Sequence, residues 1–312
     1  MSKPYLDYKQ QIEKLVNEKG LIISDKAYAR EMLVNVGYFS LIGGYKNLFI
    51  NPMTRKYDIP TTLEDVVALY QFDESLRQLT FGYLVKVEQK IRQLISDSFC
   101  STYGESQSCY LSTANYTSDL SKAADVNKLI GILKYHANVN MDKMYLVHQR
   151  NTYGNVPLWV VTKILTFGQL SKFYSLMLPK QQSAISKEYY HVSEKNLGKY
   201  LNDITLFRNV CAHNERLFSF RLIKVEFPDT PIHNKMNLPK KGNQYLVGKK
   251  DYFGLVIALR YMLLPQEFRT FKKELKKLIT SYCRNSQRLS KQNLLRQMGM
   301  PANWEIITRY KL

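Results

Sequence analysis

The sequence predicts an all-α fold, a helical bundle with additional helices at both ends. Three observations carry this. Glycine (14) and proline (10) are scarce among 312 residues, while Leu, Lys, Gln and Tyr are plentiful, a balance that favours helices over a sandwich or barrel. Apolar residues recur at spacings of three and four along a central stretch, the period of a helix with one buried face. Residues that cap helices punctuate the chain at helix-length intervals. Apolar residues make up 45% and charged residues 23%, which is enough for a packed core and excludes a disordered chain.

The elements follow in order. Residues 7–19 read as a helix closed by Gly20, and Ser24 caps a second that runs to about Val36. Gly37–Tyr45 is an apolar and aromatic turn region, and Asn51-Pro52 and Ile59-Pro60 bracket a polar loop. Thr61-Thr62-Leu63-Glu64 offers a capping box, Thr at the cap and Glu three later. Leu69, Phe72, Leu76, Leu79, Tyr83, Val87, Ile91 and Ile95 then mark the buried face of a long helix or a kinked pair, ending near Tyr103-Gly104. Residues 105–121, rich in Ser, Thr and Asn, read as loop. Helices are expected at about 122–150 and, after Pro157, at 158–177 with a break near Gly168; Pro179 suits the first turn of another. Ser193 caps a helix from Glu194 to about Leu217. Residues 226–250 hold three prolines and read as a linker or long loop, and two helices follow at about 251–263 and 266–284. The expected organisation is a helical domain over residues 1–225, with a linker and basic C-terminal helices over 226–312 packed on it.

Several function classes fall away. The four cysteines (100, 109, 211 and 283) form no CxxC pair and read as free thiols in a reducing compartment. The five histidines are scattered and show no zinc spacing, so neither metal nor other cofactor is expected. The polar start lacks the apolar core of a signal segment. No stretch approaches the ~20 apolar residues of a membrane span. A cytoplasmic protein with no membrane partner is expected. The net charge of +19 is uneven: residues 240–312 carry 16 Lys and Arg against 4 Asp and Glu, whereas residues 1–100 carry 13 against 12. Such a field attracts polyanions, nucleic acid above all.

The stretch Leu206–Phe218 carries the most chemistry. On a helical wheel at about 100° per residue with Ile204 at zero, Leu197, Tyr200, Leu201, Phe207 and Cys211 lie within about 60° of it and form one apolar stripe. Arg208 falls at about +40°, inside the stripe, where an uncompensated charge costs several kcal/mol; it must pair, line a cleft or face another subunit. His213 falls near 180° and Asn209 near 140°, an i,i+4 pair in which the amide can orient the imidazole. Arg208 and His213 sit on different faces. One copy joins them only through the long Arg side chain or a kink, whereas two copies about a twofold axis supply both to one cleft. Histidine moves protons near neutral pH, and arginine holds phosphate oxygens, a pair suited to phosphodiester chemistry. A merely structural helix also accommodates an isolated Arg-x4-His.

The wider sequence resembles the Abi-like (AbiD/AbiF type) abortive-infection family, and the stretch resembles the Arg-x4-His motif of HEPN domains. The segments are Gly20–Ile23, Asn35–Tyr45, Val87–Arg92 with Tyr103-Gly104, Pro157–Val160, Thr166–Tyr174 and Arg208–Phe218, in order over about residues 20–220. The resemblance implies an all-helical HEPN fold and metal-independent RNA cleavage in phage defence. It also implies kinship with the HEPN nucleases of type VI CRISPR effectors and association with a small noncoding RNA. It carries over Arg208, Asn209 and His213 as site residues and says little about 226–312.

Two further features bear on partners. Glu88 and Arg92, four apart, form a local helix pair, or Glu88 is the buried partner of Arg208. Arg269–Ile279 is a basic amphipathic helix whose Lys272, Lys273, Lys276 and Lys277 are candidate RNA contacts, with Phe271, Leu275 and Leu278 as its apolar stripe. The leading expectation is a homodimeric HEPN ribonuclease. Its rivals are an RNA-holding module that does not cut, and a protein-interaction subunit whose basic tail aids solubility.

Overall fold

In the computed structural model, which describes residues 4–286 and 288–311, helices succeed one another along nearly the whole chain. Helix α1 (Tyr8–Glu13) continues into a π-helical turn and stops before Gly20, whose φ of +70° suits glycine. Helix α2 (Lys26–Val36) is capped by Asp25 rather than Ser24: its carboxylate accepts the amides of Ala27 and Tyr28 at 2.8 and 3.0 Å. Helix α3 (Leu63–Tyr103) is one unbroken helix of 41 residues, about 60 Å long. Its capping box is Thr62 with Asp65, one residue beyond the Thr61–Glu64 register. Both registers fit Thr-Thr-Leu-Glu-Asp, and the Thr61 hydroxyl is committed elsewhere, to the Asp58 carbonyl.

After α3 come α4 (Gln107–Tyr110), α5 (Ala123–Asn138) and α6 (Met144–Tyr153). The expected single helix over 122–150 is split. Asn140 Oδ1 accepts the Asp142 amide at 3.0 Å, and Arg150 caps the carbonyls of Ala137 and Asn140 at 3.0 and 2.6 Å. Next are α7 (Leu158–Val161), a 3-10 turn at Thr162–Ile164, and α8 (Phe167–Leu176). The break falls at Leu165-Thr166 rather than Gly168, because Thr166 caps α8 with Gln169. Then follow α9 (Pro179–Ser186) with its proline in the first turn, α10 (Glu194–Ala212), α11 (Pro231–Lys235), α12 (Tyr252–Met262), α13 (Pro265–Asn285) and α14 (Lys291–Gln297). The strands among the described residues are the two-residue arms of one hairpin, Lys240–Lys241 and Gln244–Tyr245. The protein is an all-α bundle.

Helix α3 is the spine: α7, α8, α9, α10 and α13 all pack on it. Helix α12 is buried on nearly every side, Arg260 being its one half-exposed residue, as expected of a helix that is apolar all round. It lies against α10, where Tyr200 stacks on Tyr261 with ring centres 6.1 Å apart. Helix α13 turns Phe268, Phe271, Leu275, Ile279 and Tyr282 inward; Tyr282 meets Phe72 and Phe271 meets Tyr83 on α3 at 5.0 and 5.1 Å. The stretch read as a linker, 226–250, buries Phe227, Ile232, Met236 and Leu238. It also buries His233, whose Nε2 lies 3.0 Å from the Gly248 carbonyl. Prolines and lysines between these residues erase any period, so their burial left no mark in the sequence pattern.

Candidate functional site

Helix α10 starts at Ser193, whose hydroxyl accepts the Asn196 amide at 3.3 Å, and buries Leu197, Tyr200, Leu201, Ile204, Phe207 and Val210. It ends at Ala212, five residues before the expected Leu217. The cause is a Schellman turn. Asn214 adopts the left-handed conformation (φ +60°), its amide reaches Cys211 O at 3.4 Å, and the Glu215 amide reaches Val210 O at 3.0 Å. Asparagine is one of the few side chains that tolerate this backbone. His213 is the C-cap, exposed at the open end of the helix.

The turn is clamped from below by a buried cluster on α3. Asp73 Oδ2 accepts from Tyr45 OH at 2.7 Å, Arg77 Nη1 at 2.8 Å and the Leu217 amide at 2.9 Å. Its Oδ1 accepts the Phe218 amide at 2.7 Å. Arg77 Nε donates to Asn214 Oδ1 at 3.1 Å, and its guanidinium lies over the Tyr70 ring at 5.7 Å. Arg216 donates to the Gly44 carbonyl. Burial and the neighbouring Asp73 push the Tyr45 phenol far up, so it stays protonated and keeps donating. Every residue from Asn214 to Phe218 is thereby tied to α3 or to the Gly44 turn, directly or through its chain neighbours.

Arg208 sits one turn earlier, on the side facing α3. Its Nε lies 3.7 Å from Glu88 Oε2, and its guanidinium carbon is 5.6 Å from the centre of the Phe81 ring. The other oxygen of Glu88 accepts from Arg92 Nη2 at 2.6 Å. Arg92 is anchored in turn by the carbonyls of Thr162 at 2.9 Å and Leu165 at 3.3 Å. The two readings of Glu88 are thus both realised, one on each oxygen. The Arg208 side chain keeps 27% of its surface exposed, so the arginine is held by Glu88 without being sealed.

Arg208, Asn209 and His213 share the last turns of α10 but not one face. Asn209 and His213 are exposed with Asn202 and Leu206, while Arg208 turns toward Glu88. The His213 amide still donates to Asn209 O at 2.9 Å, but no side-chain hydrogen bond joins Asn209 to His213 among the described residues: as the C-cap, His213 has left the helical backbone (φ −94°, ψ +9°). Burial pushes the thiol of the neighbouring Cys211 up to about 12, which favours the neutral thiol over the thiolate. Among the described residues, no three His, Cys, Asp or Glu side chains group as a metal site, and no helix is long and apolar enough to cross a membrane.

The four lysines of α13 separate into two kinds. Lys272 Nζ donates to the Glu305 carbonyl at 2.9 Å and to Thr308 Oγ1 at 2.5 Å, and Lys276 pairs with the Glu305 carboxylate at 2.5 Å. These two dock the C-terminal segment. Lys273 and Lys277 are exposed, with no ion pair among the described residues. If RNA lies along α13, charge reversal at Lys273 and Lys277 weakens binding and removes about 0.7 from the slope of log K against log salt for each lost contact. Reversal at Lys272 or Lys276 instead lowers the melting temperature by undocking 305–308. Salt titrations of RNA binding, with thermal melts alongside, separate the two pairs; affinity and salt slope unchanged from wild type in the Lys273 and Lys277 variants would remove α13 as an RNA surface.

Residue periodicity missed the Asp73–Arg77–Tyr45 cluster. The available signal was two charged residues four apart in the interior of the α3 stripe, beside Phe72 and Leu76. A family model described as Abi-like protein matches residues 31–219, which spans Tyr45, the α3 spine and the whole of α10. No curated protein and no solved structure matches the chain.

Proposed function

The chain belongs to the Abi-like protein family, and on that premise we propose that it is a metal-independent endoribonuclease of the HEPN type. It acts as a cytoplasmic toxin in the abortive-infection phage defence to which the family points. The observation that carries the reading is the end of α10: an arginine held against Glu88 yet open to solvent, and an exposed histidine on a turn clamped by Asp73 and Arg77.

In this mechanism RNA supplies its own nucleophile. The ribose 2′-oxygen attacks the adjacent phosphorus as its proton passes to a base, and the 5′-oxygen leaves with a proton returned to it. The products are a 2′,3′-cyclic phosphate and a 5′-hydroxyl. His213 serves as general acid or base, and Arg208 stabilises the charge on the pentacoordinate phosphorus. Asn209, exposed beside His213, completes the site. Since Arg208 and His213 occupy different faces, a homodimer places the arginine of one copy near the histidine of the other. A bound small noncoding RNA fits the same basic surfaces, and holding RNA without cutting it is the competing outcome.

The test is a labelled RNA incubated with the purified protein in EDTA. The expected result is cleavage with 5′-hydroxyl and cyclic-phosphate ends. Activity that disappears in EDTA and returns with Mg²⁺ points to a different site, and retention without cleavage to the binding role.

A further inference from the structure

A cleft of about 510 Å³ opens beside the Glu88–Arg92 pair, lined by Gln89, Arg92 and Gln93 of α3 and by Trp159, Thr162 and Lys163. Trp159 leaves 49% of its surface in water, whereas the second tryptophan, Trp304, is 1% exposed. An indole of that size left open is an unfilled contact surface. Gln89 and Gln93 are one helical turn apart on the same face, exposed, and their amides take no intrachain hydrogen bond among the described residues. Lys163 is exposed as well, its ammonium 5.6 Å from the Tyr145 ring centre. No carboxylate lines the cleft among the described residues. Arg92, which lines this cleft, is linked to the arginine of α10 through Glu88, which takes Arg92 on one oxygen at 2.6 Å and faces Arg208 with the other at 3.7 Å.

We propose that this cleft is a base-binding subsite for single-stranded RNA. An unpaired base stacks on Trp159, the amides of Gln89 and Gln93 address its polar edge, and Lys163 holds an adjoining phosphate. This is the combination by which unpaired nucleotides are held: an aromatic face, hydrogen-bonding groups at the base edge and a cation for the backbone. Its place one ion pair from Arg208 sets the bound base next to the phosphate that Arg208 engages. What the subsite serves rests on the ribonuclease reading; its affinity for RNA does not.

The experiment uses the full chain and a fluorophore-labelled 2′-O-methyl oligonucleotide, which lacks the free hydroxyl and stays intact. Titration is expected to quench the solvent-exposed indole emission of Trp159 and leave the buried emission of Trp304 unchanged. Trp159→Ala is expected to abolish the quench and weaken binding, read by anisotropy, by about 5- to 150-fold, the span of one aromatic–base stack. Trp159→Phe, which keeps an aromatic face, recovers most of the affinity. Unaltered Trp304 emission and melting temperature in both variants report an intact fold. Quenching that persists in Trp159→Ala, or affinity equal to wild type, overturns the subsite. Quenching of Trp159 by an RNA that is never cut keeps the subsite and removes the ribonuclease; cleavage of RNA with no change at Trp159 does the reverse.

Discussion

His213→Ala is expected to abolish RNA cleavage and toxicity in cells while the protein stays folded. The side chain lies exposed at the C-cap of α10 and makes no side-chain hydrogen bond among the described residues, so its removal leaves no cavity and no orphaned partner. Only the backbone of His213 contributes to the turn, through its amide on Asn209 O at 2.9 Å, and alanine preserves that bond. The catalytic loss is large because a positioned general acid or base contributes about 10²–10⁴ in rate. Single-turnover cleavage and a thermal melt, run on the same preparation, measure both halves of the expectation. Undiminished cleavage in the folded variant removes His213 from the chemistry.

Asp73→Ala is expected to cost about 3–5 kcal/mol, the penalty for breaking a buried ion pair from one side. Total stabilities of domains run at about 5–15 kcal/mol, so the loss is a large share of the total. The carboxylate is fully buried and serves Arg77, Tyr45 and the amides of Leu217 and Phe218 together. Alanine leaves the guanidinium charge and two backbone donors without their acceptor. Urea denaturation gives the loss. Cleavage measured at low temperature, where the variant is still folded, is expected to fall too, because the 214–218 turn that fixes His213 loses its clamp. A loss below about 1 kcal/mol would mean that water replaces the carboxylate and that the cluster is not sealed.

Helices with a long apolar period or a strong cap were legible: α3 from its run of Leu, Phe and Ile, α9 from Pro179, α10 from Ser193. Errors of one residue at the caps of α2 and α3 arose where neighbouring residues satisfy the same pattern. The end of α10 was misplaced because a left-handed asparagine is decided by the partner it finds, here Arg77, 137 residues away. The position of Arg208 inside an apolar stripe announces that it needs a partner, and the partner that the sequence offers, Glu88, is the one it meets. That Asp73 and Arg77 form a second buried pair was not read, since a charged residue in a helix pattern defaults to the solvent face. The two lysines of α13 that dock on Glu305 and Thr308 look identical in sequence to the two that do not. Only the packing of the last turn distinguishes them.

In the proposed homodimer, Arg208 of one copy and His213 of the other cut RNA together. Subunits of Arg208→Ala and His213→Ala, mixed one to one and allowed to exchange, report on this shared cleft through cleavage of a labelled RNA. Each variant alone is expected to be inactive. Mixed dimers carry one intact cleft, so about a quarter of the wild-type rate returns. A mixture as inactive as its components contradicts the shared cleft, and full activity in either variant alone contradicts the site itself.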